Sequence, residues 1–229
     1  MISGYLSLIG ETFKSYKING GSVYLARQSI KVIKTLMRNG ETTQQELSDR
    51  TGVSIGQVNK TVTKLKRAFL ANVDSKCGVK LVDEERLLLA IGAEAPIQTT
   101  FRGRHYITAK KVDSLKKIAH ALDDVQYAFT LLPAVAVYSA AAAGETLSIY
   151  IAKSDLSKGL QALDHLGTEK GIPVEVFEAH EGILYDKKKR KNAVYVSNEQ
   201  LIVDLFRTPQ LVYLGMQVLN EFRKAQCHG

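Results

Sequence analysis

Along the first third of the chain, apolar positions recur at three- and four-residue intervals, and glycines interrupt them. From Ser22 to Arg38 the residues Val23, Ile30, Ile33, Leu36 and Met37 form a stripe of helical period that Gly40 stops, and the opposite face carries Arg27, Lys31, Lys34 and Arg38. Thr43 followed by Glu46 spells a capping box, which opens a second helix running to about Thr51 with Gly52 as its left-handed exit. After a very short turn, Ser54 and Gln57 repeat that signature, and Val58, Val62, Leu65 and Phe69 fall on one side of a third helix. Three helices with a tight glycine-containing turn between the second and third make a helix-turn-helix. Two short β-type runs flank Ser75 to Gly78, so the next segment reads as a hairpin in the position of a wing.

The segment DEERLLLAIGAEAP predicts a short helix, and a boundary near Ile91 to Thr99 divides residues 1–92 from 93–229. Beyond it strand and helix patterns alternate. FRGRHYI reads as a strand and TAKKVDSLKKIAHALDD as a helix; YAFTLLPAVAVYSAAAAG is an apolar buried segment, and TLSIYIA is a strand. A helix over 154–170 follows, then strands PVEVFEA and GILYD, the basic run KKKRK and a strand at AVYV. Ser197 and Gln200 cap the helix SNEQLIVDLFRT, which Pro209 ends before a last helix reaching about Ala225. The expected fold class is α+β: an amino-terminal winged helix-turn-helix domain, then an α/β domain with a mixed sheet.

Charge changes this picture once it is located. The chain of 229 residues carries a formal net charge of +8. Residues 1–82 hold 13 Lys and Arg against 5 Asp and Glu, whereas residues 83–229 hold 18 of each. All of the excess therefore sits on the first domain, where it draws a polyanion. With the apolar side of the third helix turned inward, Gly56, Gln57, Lys60, Thr63, Lys64 and Arg67 point away from the core. Gln57 and Lys60, near the helix start, are the candidates for reading base edges, Gln toward adenine and Lys toward guanine. Lys64 and Arg67, the wing lysines Lys76 and Lys80, and Thr42 or Thr43 and Ser54 at the helix starts are candidates for phosphate contacts. The other reading is a capped amphipathic helix with a solvated lysine face.

The run Lys187, Lys188, Lys189, Arg190, Lys191 reads as a solvated loop tip, with a second nucleic-acid contact as the alternative, one that Arg102, Arg104, Lys110 and Lys111 join if the fold brings them near. Signatures of common catalysts are missing: the sequence has no GxxxxGK[ST], no GxGxxG after a strand and no GxSxG, and the adjacent Asp123 and Asp124 read as a helix end. The expectation is that the protein is not an enzyme and needs no cofactor. Cys77 and Cys227 lie far apart, and His105, His120, His165, His180 and His228 are scattered, so no metal site is expected. Without a basic leader or a long apolar run, a cytoplasmic location is expected.

TTQQELSDRTGVSIGQVNKTVTKLK, GVKLVDEERLLLA, VQYAFTLLPAVAVYS, TLSIYIA and VYVSNEQLIVDLFRTP, in this order, resemble the AbiEi family of transcriptional regulators, the antitoxins of type IV toxin–antitoxin systems. Ser197, Asp204 and Leu205 look like that family's Ser-Pro-x-x-x-x-x-Asp-Leu segment, although Asn198 stands where proline is usual. The resemblance implies a winged helix that represses its own operon through repeated promoter sites, as a homodimer or as cooperating monomers. It also implies a non-catalytic, nucleotidyltransferase-like second domain with antitoxin activity, functionally linked to a nucleotidyltransferase-like toxin. DNA contact would fall on Gln57, Lys60, Lys64 and Lys76. Two other readings stand beside it: a nucleotide- or RNA-binding, degenerate transferase module whose winged helix docks protein, and a replication or partition protein of a mobile element.

Overall fold

The computed structural model describes residues 28–74, 78–107, 111–138, 145–190 and 192–227. The chain forms two compact units that meet between Pro96 and Ile97.

In the first unit, α1 (Ser29–Asn39), α2 (Gln44–Thr51) and α3 (Ile55–Arg67) precede the antiparallel pair β1 (Ala71–Asp74) and β2 (Gly78–Leu81), and α4 (Glu84–Glu94) follows. Helix α1 is the centre of this head, with Val32, Ile33, Leu36 and Met37 fully withdrawn from water. The helix is described from Ser29, so the predicted start at Ser22 and Arg27 lie outside the described residues. Its face is also not the open basic surface that the sequence suggests. Lys31 and Lys34 are buried, each with an interaction partner, because α1 is covered on nearly all sides. Gly52 leaves α2 at φ 67°, and the next residue, Val53, is buried, which holds the tight turn into α3.

Phe69 does not extend the apolar face of α3. The helix ends at Arg67, and the amides of Phe69 and Leu70 donate to Lys66 O and Leu65 O, the paired bonds of a Schellman stop. That motif needs a left-handed residue where Phe69 stands, at φ 57°, so its ring is thrown outward and is 74% exposed while Leu70 turns into the core. A bulky residue is strained there. Phe69→Gly is therefore expected to raise stability by about 1 kcal/mol in urea denaturation, and a loss would mean that the ring has a stabilising contact.

The wing is tied to the helices through Thr42, whose amide donates to Val79 O and whose carbonyl accepts from Val79 N, at 3.1 and 2.8 Å. Gly78 makes this approach possible: it sits at φ 106°, and a Cβ there would lie 2.6 Å from Thr42 O. Gly78→Ala is expected to destabilise the unit by more than about 1 kcal/mol, read from the urea midpoint. The predicted turn residues Ser75 to Cys77, and with them Lys76, lie outside the described residues.

The second unit is built on a six-stranded mixed sheet. Its strands are β3 (Phe101–Ile107), β4 (Tyr127–Thr130), β5 (Leu147–Ala152), β6 (Ile172–Ala179), β7 (Lys188–Arg190) and β8 (Ala193–Tyr195), in the spatial order β3-β6-β5-β4-β8-β7. The β5–β6 and β4–β8 pairs are parallel and the others antiparallel. Central β5 is apolar at nearly every position because both of its faces are buried. Six α-helices complete the described unit: α5 (Lys111–Ala121), α6 (Leu131–Tyr138), α7 (Leu156–His165), the single turn α8 (Glu181–Leu184), α9 (Asn198–Phe206) and, after a short 3₁₀ turn, α10 (Val212–Cys227).

The apolar segment from Tyr127 is largely buried, as expected, and divides into two elements, while two other expectations, for GILYD and KKKRK, are corrected. The apolar run from Tyr127 is a strand that passes directly into α6 through Leu131 at φ 52°, with Pro133 in the first helical turn where its missing N–H is harmless. GILYD is not a strand but part of α8 and the turn after it, where Asp186 adopts φ 61°. KKKRK is not a loop tip: Lys188 to Arg190 form β7, paired antiparallel with β8 at the sheet edge, and Lys191 lies outside the described residues.

Helix α9 is buried from Glu199 to Phe206, polar residues included. Its Ser197 cap accepts from the Gln200 amide at 3.3 Å. One turn further on, the fully buried Asp204 carboxylate accepts from Thr130 Oγ1 at 2.6 Å, Tyr150 OH at 2.9 Å, Gln200 Nε2 at 2.9 Å and Arg207 at 3.3 Å. These bonds join α9 to β4 and β5. Burial pushes the Asp204 carboxyl above its ordinary value despite the opposing charge of Arg207, and it pushes the Tyr150 phenol up as well.

Candidate nucleic-acid interface

The orientation of α3 is fixed by one apolar seam and one hydroxyl pair. Val58, Val62 and Leu65 are buried, and between them Thr61 Oγ1 meets Ser29 Oγ on α1 at 2.9 Å. This fixes the outward face. Gly56, Asn59, Lys60, Lys64, Lys66 and Arg67 are exposed, with Gln57 and Thr63 partly so. Gln57, Lys60, Thr63, Lys64 and Arg67 line one shallow depression together with Ser29 and Asn59. Five of the six α3 residues read as outward-facing in the sequence, all but Gly56, thus share this depression.

The helix starts behave differently from one another. At α2 the capping box is complete: Thr43 Oγ1 accepts from the Glu46 amide, and Glu46 Oε2 accepts from Thr43 N at 2.9 Å, Thr42 Oγ1 at 2.9 Å and Thr43 Oγ1 at 3.0 Å. A carboxylate of the protein itself already occupies the donors proposed for phosphate at Thr42 and Thr43. Those bonds, the backbone one foremost, hold the Glu46 pKa below its ordinary 4.5. A depressed carboxyl adds stability above its unfolded value and loses it as pH falls through the folded one. The protection of the amides at the start of α2, corrected for their intrinsic exchange rates, is therefore expected to fall as pH drops below the ordinary carboxyl value of 4.5, and to respond less to acid in Glu46→Gln.

At α3, in contrast, the capping signature is not realised. Ser54 makes no side-chain cap, and the Gln57 amide that a capping box would use donates to the Ser54 carbonyl instead, as does the Val58 amide, both at 2.9 Å. Gln57 is thereby left out of a capping box. On the wing, Lys80 is exposed in β2 opposite Asn72.

Among the described residues, Arg102 and Arg104 do not join the KKKRK run in one patch. Arg102 and Arg104 lie on β3, at the other edge of the sheet from β7, and each is paired with a glutamate of β6: Arg102 with Glu178 at 2.9 Å, and Arg104 with Glu175. Lys110 and the side chain of Lys111 lie outside the described residues. On the β7 edge, Lys187 is half-buried and donates to Gln126 Oε1, with burial lowering its pKa, while the Arg190 guanidinium stands 4.9 Å from the centre of the Tyr138 ring.

Two exposed α3 residues escaped sequence reasoning, Asn59 and Lys66. Both flank the outward face, and their angular positions alone would have found them. Among the described residues no cluster of His, Cys, Asp or Glu is placed to hold a metal ion, and no helix is long and apolar enough to cross a membrane. Neither the curated proteins nor the solved structures yield a match to this chain. Residues 25–68, which include α1, α2 and α3, match the family model described as winged helix-turn-helix DNA-binding, so the first unit is a winged helix-turn-helix followed by a mixed-sheet α/β region.

Proposed function

We propose that the protein is a sequence-specific double-stranded DNA-binding transcriptional regulator of antitoxin type, repressing its own operon. The observation that carries this reading is the α3 surface: Lys60, Lys64 and Arg67 stand exposed beside Gln57 and Thr63 on the second helix of the helix-turn-helix, the one that enters a major groove. The amino-terminal half of α3 reads base edges, and the later cations and Lys80 neutralise phosphates, which releases counterions and drives association. Repeated promoter sites would be filled by a homodimer or by cooperating monomers.

In this reading the second unit is regulatory, not catalytic, acts in the cytoplasm and is linked to a nucleotidyltransferase-like toxin. Its fully buried carboxylate, Asp204, is consumed by four protein donors, which supports a structural role. Asp123 and Asp124 close a helix on the surface beside His120 and Lys158.

The test is a gel shift of the full chain on the DNA upstream of its own gene, repeated in rising salt. Affinity should fall steeply between about 50 and 200 mM salt. An unchanged affinity would reject a phosphate-dependent complex.

A further inference from the structure

We infer that Asn59 is a base-reading residue directed at adenine, held ready by Thr63 and given access by Gly56; this rests on the DNA-binding reading above. Thr63 Oγ1 donates to Asn59 Oδ1 at 3.3 Å, one helical turn apart. That long bond uses one lone pair of the amide oxygen. The other lone pair and the two Nδ2 protons stay available, which is the acceptor and donor combination that matches N6–H and N7 on the major-groove edge of adenine. Helical side chains lean toward the amino terminus, so Asn59 stands over the turn that contains Gly56.

No side chain grows from that turn at position 56, and a Cβ built there meets nothing within 4 Å. Glycine in a helix is less favourable than alanine, and the fold has room for alanine here. The bare turn leaves a base edge free to approach the amide. Of the two amides on this surface, Asn59 is the one with a polar neighbour on its own helix fixing its oxygen, and a shorter side chain loses less freedom on binding.

Selection of the full-length chain on a random-sequence duplex pool tests this, with the preferred duplex then titrated at several salt concentrations. Asn59→Ala should flatten one A·T position by roughly tenfold to a hundredfold and leave the salt slope unchanged. Thr63→Val should flatten the same position more weakly, and Thr63→Ser should restore it. Gly56→Ala should raise thermal stability and yet weaken the preferred duplex.

Full retention of base preference in Asn59→Ala overturns the inference, as does salt-dependent binding by the wild type with no preferred sequence. In both cases DNA binding itself survives. A wild-type chain that binds no duplex at any salt removes the functional reading together with this one.

Discussion

Asp204→Ala is expected to remove about 3–5 kcal/mol from the stability of the second unit, because it leaves the buried Arg207 guanidinium, the Tyr150 hydroxyl and the Thr130 hydroxyl without their shared acceptor. Against the roughly 5–15 kcal/mol that holds a domain together, this is enough to populate the unfolded form. Asp204→Asn keeps an acceptor oxygen and should cost less, and Thr130→Val, which deletes one donor, about 1 kcal/mol. Because burial raises the Asp204 pKa, the contribution of its titration is fully present below the ordinary aspartate value of 3.8 and diminishes as pH rises through the folded value. The gap between wild type and Asp204→Ala should therefore be wider in mild acid than at neutrality. Urea denaturation monitored across that range measures it, and a cost under about 1 kcal/mol would show that the cluster is dispensable.

The second large effect is on binding. Combined Lys60→Ala, Lys64→Ala and Arg67→Ala is expected to lower the magnitude of the log affinity against log salt slope by about 2–3, since each phosphate contact contributes about 0.9. Near 0.1 M salt this corresponds to a loss of about two orders of magnitude, with the fold intact because all three side chains are exposed. Singly, Lys64→Ala should weaken all duplexes alike and reduce the slope by about 1, whereas Lys60→Ala should also relax base preference. An unaltered slope in the triple variant would place the DNA on another surface.

The first unit was legible because its signals agree. Val58, Val62 and Leu65 set the inward face of α3, so its outward residues followed from angle alone, and the Thr43–Glu46 pair announced α2 by a bond that the structure contains. Where the reading failed, a local rule met a competing one. Phe69 continued the helical period, but a Schellman stop ended the helix two residues earlier. Ser54 and Gln57 had the spacing of a capping box, but the Gln57 amide bonds to the Ser54 carbonyl and not to its hydroxyl. Lys31 and Lys34 lay on the polar side of α1 and are nevertheless buried, since periodicity places residues on a face and says nothing of what covers it. In the second unit, the Asp204 cluster joins residues up to 74 positions apart, and no pattern in one segment encodes such a meeting. The amphiphilic ambiguity of short apolar runs explains GILYD.

The edge formed by Lys188, Lys189 and Arg190 has a consequence for self-association. An unpaired strand is a template on which another copy of the same chain can add its own. A neighbour that adds its own copy of this strand brings an identical row of cations alongside, and the repulsion guards the edge against that pairing. A guard made of exposed charge acts only over the Debye length, which shrinks from about 10 Å at 0.1 M salt to about 3 Å at 1 M. Concentrated salt therefore weakens the shield that keeps neighbouring molecules from zipping together, and the protein is best protected against strand-to-strand aggregation in dilute electrolyte.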